Sequence, residues 1–144
     1  MIIGTHGSPR LFPLLESYTK TYETTIRLDG TTDSYDQEQP VKNLEISTRI
    51  QKKITKEFLE KIIQENFHGE VMQSPPLYSA VWINGKRAYE LARKGEYTEK
   101  IQAKKRTIHH FNIISYSWPT ITCQICVSHG TYIRSIARDM GLLL

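Results

Sequence analysis

The chain has 144 residues and a net charge of +4, with 39% hydrophobic and 24% charged residues, which fits one folded domain and excludes an intrinsically disordered chain. No apolar run approaches the roughly 20 residues that a membrane-spanning helix needs, so we expect no membrane partner. Residues 1–6 lack the charged and apolar regions of a signal peptide, so we expect a cytoplasmic protein.

The first third of the chain alternates between short ordered segments and polar loops. Ser8 and Pro9 can begin a helix, which Pro13 must keep short. Residues 19–28 are rich in β-branched side chains and predict a strand, whereas the polar, acidic residues 29–40 predict a loop. A helix over residues 55–66, capped by Thr55, follows. Its predicted apolar face consists of Phe58, Leu59, Ile62 and Ile63.

The middle of the chain is broken by turns and is basic. Residues 74–76 (Ser-Pro-Pro) interrupt any regular element, and Asn84-Gly85 is typical of a tight turn between short extended segments. Residues 87–94 predict a helix that ends at Gly95. Residues 81–106 hold eight Lys or Arg against three Glu. Such a local excess favours a polyanionic partner, because neutralised phosphates release counterions. A solvated basic surface without a partner is the alternative.

The last third predicts two long strands and a helix. Residues 106–115 and 120–128 are extended and joined by a turn at Trp118-Pro119, and residues 132–140 form a helix ended by Gly141. The residues expected on its inner face are Ile133, Ile136, Ala137 and Met140. Several strands with few helices predict an α+β fold, with a mixed, largely antiparallel sheet and flanking helices.

Cys123 and Cys126 form a C-x-x-C pair on the second of these strands. A separation of three residues places the two thiols on opposite faces of a strand, which fits neither a disulfide nor a zinc site. No second pair supplies the remaining zinc ligands. The adjacent pair His109-His110 fails as a metal site for the same reason. We expect structural cysteines and no metal.

Three stretches resemble motifs of the TruB family of pseudouridine synthases. KTYETTIRLDGTTDSYDQEQPV (residues 20–41) is similar to the family's K-x-Y strand and T-D-x-x-D-x-E loop. MQSPPLYSAVWINGKRAYELARKGE (residues 72–96) resembles Q-x-P-P-x-Y-S-A followed by G-K-R-A-Y-E-L-A-R-x-G. SHGTYIRSIARDMG (residues 128–141) resembles G-T-Y-I-R-S-L-A-R-D-x-G. Their order and spacing agree over nearly the whole chain.

The resemblance implies part of a pseudouridine synthase catalytic domain. The family isomerises uridine 55 in the T arm of tRNA without a cofactor or metal, and uses an aspartate in a G-T-L-D-P motif as its nucleophile. That motif does not occur in these residues. Residues 1–4 resemble the end of the strand that follows it, and the chain ends in three leucines. We therefore expect residues 1–144 to be a partial domain, without the N-terminal catalytic segment and the C-terminal RNA-binding domain.

The four aspartates considered as replacements are Asp29, Asp33, Asp36 and Asp139. The first three lie in the acidic loop, where we expect ordinary pKa values and no orienting partner. Asp139 follows Arg138, and a surface ion pair is its expected role. None has the sequence context of the family's nucleophile.

The resemblance also assigns supporting residues. Tyr22 would stack on the flipped uracil. Without the resemblance, Tyr22 would be predicted to be a strand tyrosine in the core. Arg134 would pair with the catalytic aspartate, and Tyr132 would line the same pocket. Without its aspartate, a buried Arg134 would cost about 3–5 kcal/mol.

RNA contacts are expected chiefly from a thumb-like insertion over residues 72–96. The residues assigned to RNA binding are Lys20, Tyr78, Lys86, Arg87, Arg93 and Lys94. Family members usually carry a lysine where this chain has Trp82, so a phosphate contact is lost there or a stacking surface is gained.

These expectations leave three hypotheses for function. The first is a fragment of a tRNA pseudouridine-55 synthase, with the T stem-loop of tRNA as partner, either alone or together with a second chain that supplies the missing segment. The second is a catalytically inactive module that binds tRNA or assists its folding. The third is a complete enzyme with a relocated nucleophile.

Overall fold

The computed structural model describes residues 5–15, 17–96 and 101–144, so the strand end predicted at residues 1–3 lies outside the described residues. A four-stranded antiparallel sheet forms the centre, in the order β1-β8-β7-β4. Its strands are β1 (Lys20–Arg27), β4 (Gly69–Gln73), β7 (Lys104–Ser117) and β8 (Thr120–Val127). The described helices include none that is both long and apolar enough to cross a membrane.

Smaller elements surround the sheet. Two short hairpins pair β2 (Gly30–Thr31) with β3 (Lys42–Asn43), and β5 (Trp82–Ile83) with β6 (Lys86–Arg87). The helices are a 3-10 helix (Ser8–Leu15), α1 (Thr48–Gln51), α2 (Lys56–Asn66), α3 (Ala88–Arg93) and α4 (Ile133–Leu143). The predicted α+β fold with a largely antiparallel sheet and flanking helices is confirmed.

The core lies between one face of the sheet and helices α2 and α4. Alternate residues of β8 are buried, as expected for a strand with one face on the core. The largest fully buried side chains include Leu59 of α2, Ile125 of β8, and Ile136 and Met140 of α4. At the start of α2 the Thr55 hydroxyl accepts a hydrogen bond from the Phe58 amide at 3.2 Å, which confirms the predicted cap.

Several local predictions need correction. Phe58 is 39% exposed, so the buried face of α2 consists of Leu59, Ile62 and Ile63. Gly141 does not end the last helix, which continues to Leu143 because a glycine is tolerated in its last turn. The acidic loop contains the short strand β2. Strand β4 and helix α1 were not predicted, and the 3-10 helix continues past Pro13.

The cysteines behave as predicted. Both are free thiols, with Cys123 buried in the core and Cys126 half-buried. Burial raises the pKa of Cys123 to about 12, because the thiolate is less stable away from water. The turn between β7 and β8 contains a cis peptide bond between Trp118 and Pro119.

Candidate functional site

The beginning of α4 is attached to the end of β4 by one glutamine side chain. The Gln73 side-chain Oε1 accepts a hydrogen bond from the Tyr132 amide at 2.8 Å, and its Nε2 donates to the Tyr132 carbonyl at 3.1 Å. Gln73 is only 4% exposed. One turn later, the buried Ser135 hydroxyl donates to the Ser74 carbonyl at 2.9 Å. These bonds fix the helix that carries Arg134.

Arg134 connects three distant parts of the chain. Its Nη1 donates to the Ser34 carbonyl at 3.3 Å and its Nη2 donates to the Tyr78 carbonyl at 3.1 Å. The acidic loop, the segment after β4 and helix α4 therefore meet at one guanidinium. The expectation of an unmatched cation is only partly met: within the described residues no carboxylate pairs with Arg134, but two carbonyls accept its hydrogen bonds.

Two buried hydroxyls belong to the segments that Arg134 joins. Ser34 and Ser79 are 7% and 4% exposed, and their Oγ atoms have no hydrogen-bond partner within the described part of the chain. Most buried polar atoms are paired, so these two leave hydrogen-bonding capacity close to the Arg134 contacts.

A second arginine reinforces the same junction. Arg138 donates through Nη2 to the Ser74 carbonyl at 3.1 Å and through Nε to the Asp139 carboxylate at 2.8 Å. Its guanidinium also lies 5.8 Å from the centroid of the Tyr35 ring, within cation–π range. The expected ion pair of Asp139 is confirmed, although Arg138 is largely buried and the pair is not fully at the surface.

Two of the three acidic-loop aspartates have side-chain partners, which corrects the expectation that none has. Asp29 pairs with Arg27, whose hydrogen bond lowers the pKa of the Asp29 carboxyl, and Asp33 pairs with Lys42. Asp36 is bonded to Thr32 through its backbone only: its amide donates to the Thr32 hydroxyl, which in turn donates to the Asp36 carbonyl, both at 2.9 Å. Within the described residues, no aspartate makes a hydrogen bond or ion pair with Arg134.

Tyr22 and Lys20 lie on the core-facing side of β1, near its beginning. Tyr22 is opposite Ile125 and Lys20 is opposite Val127 in the register with β8. Tyr22 nevertheless remains 39% exposed, so it is not the core tyrosine of the alternative reading. Lys20 Nζ lies 3.3 Å from His129 Nδ1. No hydrogen bond in the described part of the chain joins Tyr22 to Arg134.

Four of the eight basic residues of the middle segment lie on the β5–β6 hairpin, on α3 or directly after it, whereas Lys104, Lys105 and Arg106 lie on β7. The Arg87 guanidinium lies 4.1 Å from the centroid of the Trp82 ring and donates to the Ala80 carbonyl. Lys86 pairs with Glu96 at 3.4 Å. On α3, Arg93 lies 5.5 Å from the centroid of the Tyr89 ring, and Lys94 is exposed directly after the helix.

Other features of the surface hold none of the predicted site residues. A cavity of about 500 Å³ lies between β4, the end of α2 and the end of α4; Gln73 and Asp139 line it, but none of the residues predicted to support catalysis or to bind RNA does. Among the residues that the structure describes, no group of three or more His, Cys, Asp or Glu could hold a metal ion.

Sequence reasoning assigned no role to Gln73 or Ser74. Two signals were available for them: a pair of polar residues directly before two prolines, and the match of Gln73 to the first residue of the Q-x-P-P motif; the structure buries both side chains.

Comparison with protein families gives one match that covers most of the chain. Residues 1–133 match the model of the TruB family pseudouridylate synthase (N terminal domain). Among curated proteins, the tRNA pseudouridine synthase B of Chlorobaculum tepidum is 39% identical over 144 residues, which are 100% of this chain and 58% of that protein. That of Dehalococcoides mccartyi is 42% identical over 134 residues, covering 93% of this chain and 43% of that protein. The chain thus spans 58% of the first relative's length and 43% of the second's.

Two solved structures resemble the fold. A chain in the crystal structure of a Cbf5-Nop10-Gar1 complex superposes with a TM-score of 0.59 at 22% identity, covering 94% of this chain and 29% of that one. A chain of an H/ACA RNP bound to a substrate RNA containing 2'-deoxyuridine gives a TM-score of 0.55 at 16% identity, covering 94% and 26%. At these identities the likeness describes the fold alone.

Proposed function

Because the chain belongs to the TruB family of pseudouridylate synthases, we propose that it forms the base-holding and RNA-binding part of a tRNA pseudouridine synthase. The reaction is the isomerisation of uridine 55 to pseudouridine in the T arm of tRNA, without a cofactor or metal. The chain takes part as a partial catalytic domain, with residues 72–96 as the thumb-like insertion.

The convergence of three segments at Arg134 carries this proposal. Each of the three stretches that resemble the family contributes to the junction: Ser34 from the first, Tyr78 from the second and Arg134 from the third. Ser34 and Arg134 are 100 residues apart in the sequence. Agreement in sequence order alone would not require the three stretches to meet, so their meeting at one cation supports a common site.

Arg134 is suited to hold a carboxylate. A guanidinium within about 4–6 Å keeps an aspartate ionised and oriented for nucleophilic attack. In the proposed enzyme that aspartate comes from a G-T-L-D-P segment, which these 144 residues do not include. Tyr22, exposed at the start of β1, supplies a ring face for the flipped uracil. Tyr132, at the N-cap of α4, lines the same pocket.

RNA is the proposed partner, with the T stem-loop as the part bound. The relatives named above are tRNA-modifying enzymes by name, and one matched structure contains a substrate RNA. On this chain, Lys20, Lys86, Arg93 and Lys94 present side chains that can contact phosphates, and Tyr78 lies at the base of the thumb. The Arg87 guanidinium lies against the Trp82 ring, so Arg87 is not counted among these phosphate contacts.

Tritium release from 5-tritiated uridine in an unmodified tRNA transcript tests the proposal. The chain alone should retain tRNA on a filter at low salt and release no tritium. Adding a second polypeptide that carries the G-T-L-D-P segment should start release, and the same polypeptide with Asn in place of that aspartate should not. Release by the chain alone would show that one of its own aspartates is the nucleophile. If the chain does not retain tRNA on the filter, the proposal that it binds RNA is wrong.

A second candidate is an inactive module that binds tRNA or assists its folding. It is favoured by the Arg134 contacts, since two carbonyls of this chain accept hydrogen bonds from the guanidinium and hold it without a carboxylate. This candidate predicts tRNA binding and faster refolding of a denatured transcript, with no release even when the G-T-L-D-P polypeptide is present.

A further inference from the structure

Trp82 is an exposed aromatic ring that is held in one orientation. Trp82 is 62% exposed and is the first residue of β5, on the β5–β6 hairpin. Arg87 is its direct partner in the register, and the Arg87 guanidinium lies 4.1 Å from the ring centroid. The same guanidinium donates to the Ala80 carbonyl, so it is itself fixed. Because Arg87 covers one face, the exposed surface of the ring belongs mainly to the other face and the edges.

The hairpin under the ring is rigid. Asn84 and Gly85 both have positive φ, 47° and 80°, as a two-residue type I′ turn requires. The ladder continues beyond the Trp82–Arg87 pair, where the Ala88 amide donates to the Val81 carbonyl at 2.8 Å, and Ala88 itself is fully buried. A ring held in this way loses little conformational freedom when a ligand binds to it.

We propose that the free face of Trp82 is a stacking site for one unpaired nucleobase of the bound RNA. Arg87 acts as the positioning residue behind the ring and not as a phosphate contact. This inference rests on the proposed function, because it names how the thumb holds the RNA. It assigns to residue 82 an interaction that a lysine at that position could not make.

The surroundings favour a nucleobase over an apolar protein partner. Lys86 on the same hairpin, and Arg93 and Lys94 at the end of α3, are exposed, so a ligand that brings phosphates with its planar group matches both features of the thumb. An apolar protein surface would have to desolvate these cations. The cation on the covered face also withdraws electron density from the indole ring, which favours stacking with the electron-rich face of a purine.

Binding of a T stem-loop RNA by the 144-residue chain, measured over a series of salt concentrations, tests the inference. Trp82→Ala should lower the affinity about 5- to 100-fold, as expected for the loss of one stacked base. The slope of log affinity against log salt should not change, since no phosphate contact is lost. Trp82→Phe should keep most of the affinity. Lys86→Ala is the matched control, and should reduce the slope by about 1.

A scan of abasic substitutions through the loop of the RNA locates the base and does not depend on the folding of any variant. At one loop position, removing the base should lower the affinity of the wild-type chain by about the same factor as Trp82→Ala does. The same abasic RNA should bind to the Trp82→Ala chain almost as well as the intact RNA does. Equal affinity of Trp82→Ala and wild type, with the Lys86→Ala effect present, overturns the stacking site and leaves the proposed function standing. No binding by the wild-type chain at low salt overturns both.

Discussion

The two hydrogen bonds between Gln73 and the backbone of Tyr132 give a direct test of how Arg134 is positioned. Gln73→Met keeps nearly the same volume and removes both bonds. The Tyr132 carbonyl still accepts bonds from the amides of Ser135 and Ile136, at 3.1 and 3.2 Å. The Tyr132 amide has no other acceptor among the described residues. The loss of its hydrogen bond therefore determines how much stability Gln73→Met loses.

An amide left without a partner in a half-buried position costs about 1–3 kcal/mol. For a chain of this length, that loss should lower the melting temperature by about 3–10 °C. Gln73→Ala should lower it further, because the missing side chain also leaves a cavity. Gln124→Met on the exposed face of β8 is the control, and should leave the melting temperature nearly unchanged.

Thermal unfolding followed by circular dichroism measures the loss, and amide hydrogen exchange shows where it acts. In Gln73→Met the amides of the first turn of α4 should exchange faster, whereas those of α2 should change only with global stability. If Gln73→Met has the same melting temperature as wild type, and its α4 amides exchange at the same rate, the Gln73 side chain does not hold the helix in place.

Three further results are expected. Lys86→Ala with Arg87→Ala should weaken tRNA binding and, through the loss of the Lys86 contact, lower its salt slope in filter binding; an unchanged slope would mean that Lys86 contacts no phosphate. Burial raises the pKa of Cys123 to about 12, while an unfolded thiol ionises near 9. The free energy of unfolding, measured by urea titration, should therefore fall as pH rises above about 9. Cys123→Ala should lose less stability over the same pH range. Ser79→Ala removes an unpartnered hydroxyl and should leave stability equal or higher, whereas Ser135→Ala removes a bonded one and should cost about 1–3 kcal/mol; equal losses would contradict the assignment.

The long strands and the capped helix could be predicted because their signals are local. Strand β8 alternates apolar and polar residues along its whole length, and β1 is dense in β-branched residues. Helix α2 begins directly after Thr55, whose side chain makes the cap. Each of these features is decided within about ten residues, so no tertiary information is needed.

The elements that were missed depend on contacts that lie far away in the sequence. Strand β4 has only two apolar residues in GEVMQ and is ordered by its pairing with β7. Phe58 follows the helical period but lies at the margin of the buried face, which sequence cannot distinguish from its centre. The Gln73 bonds span 59 residues, and polar side chains that bond to backbone leave no periodic pattern.

The Arg134 site shows how a partial charge network can remain folded. Arg134 is half-buried, and desolvation of its guanidinium without an acceptor would be costly, but within the described residues the carbonyls of Ser34 and Tyr78 accept two of its hydrogen bonds. A guanidinium has five N–H donors, so three are left for another group. The cation is therefore already oriented before a carboxylate arrives, and a carboxylate that docks there gains a charge-assisted bond without reorganising the site. The same geometry suits both proposals above: a stable RNA-binding chain by itself, and a prepared partner for an aspartate.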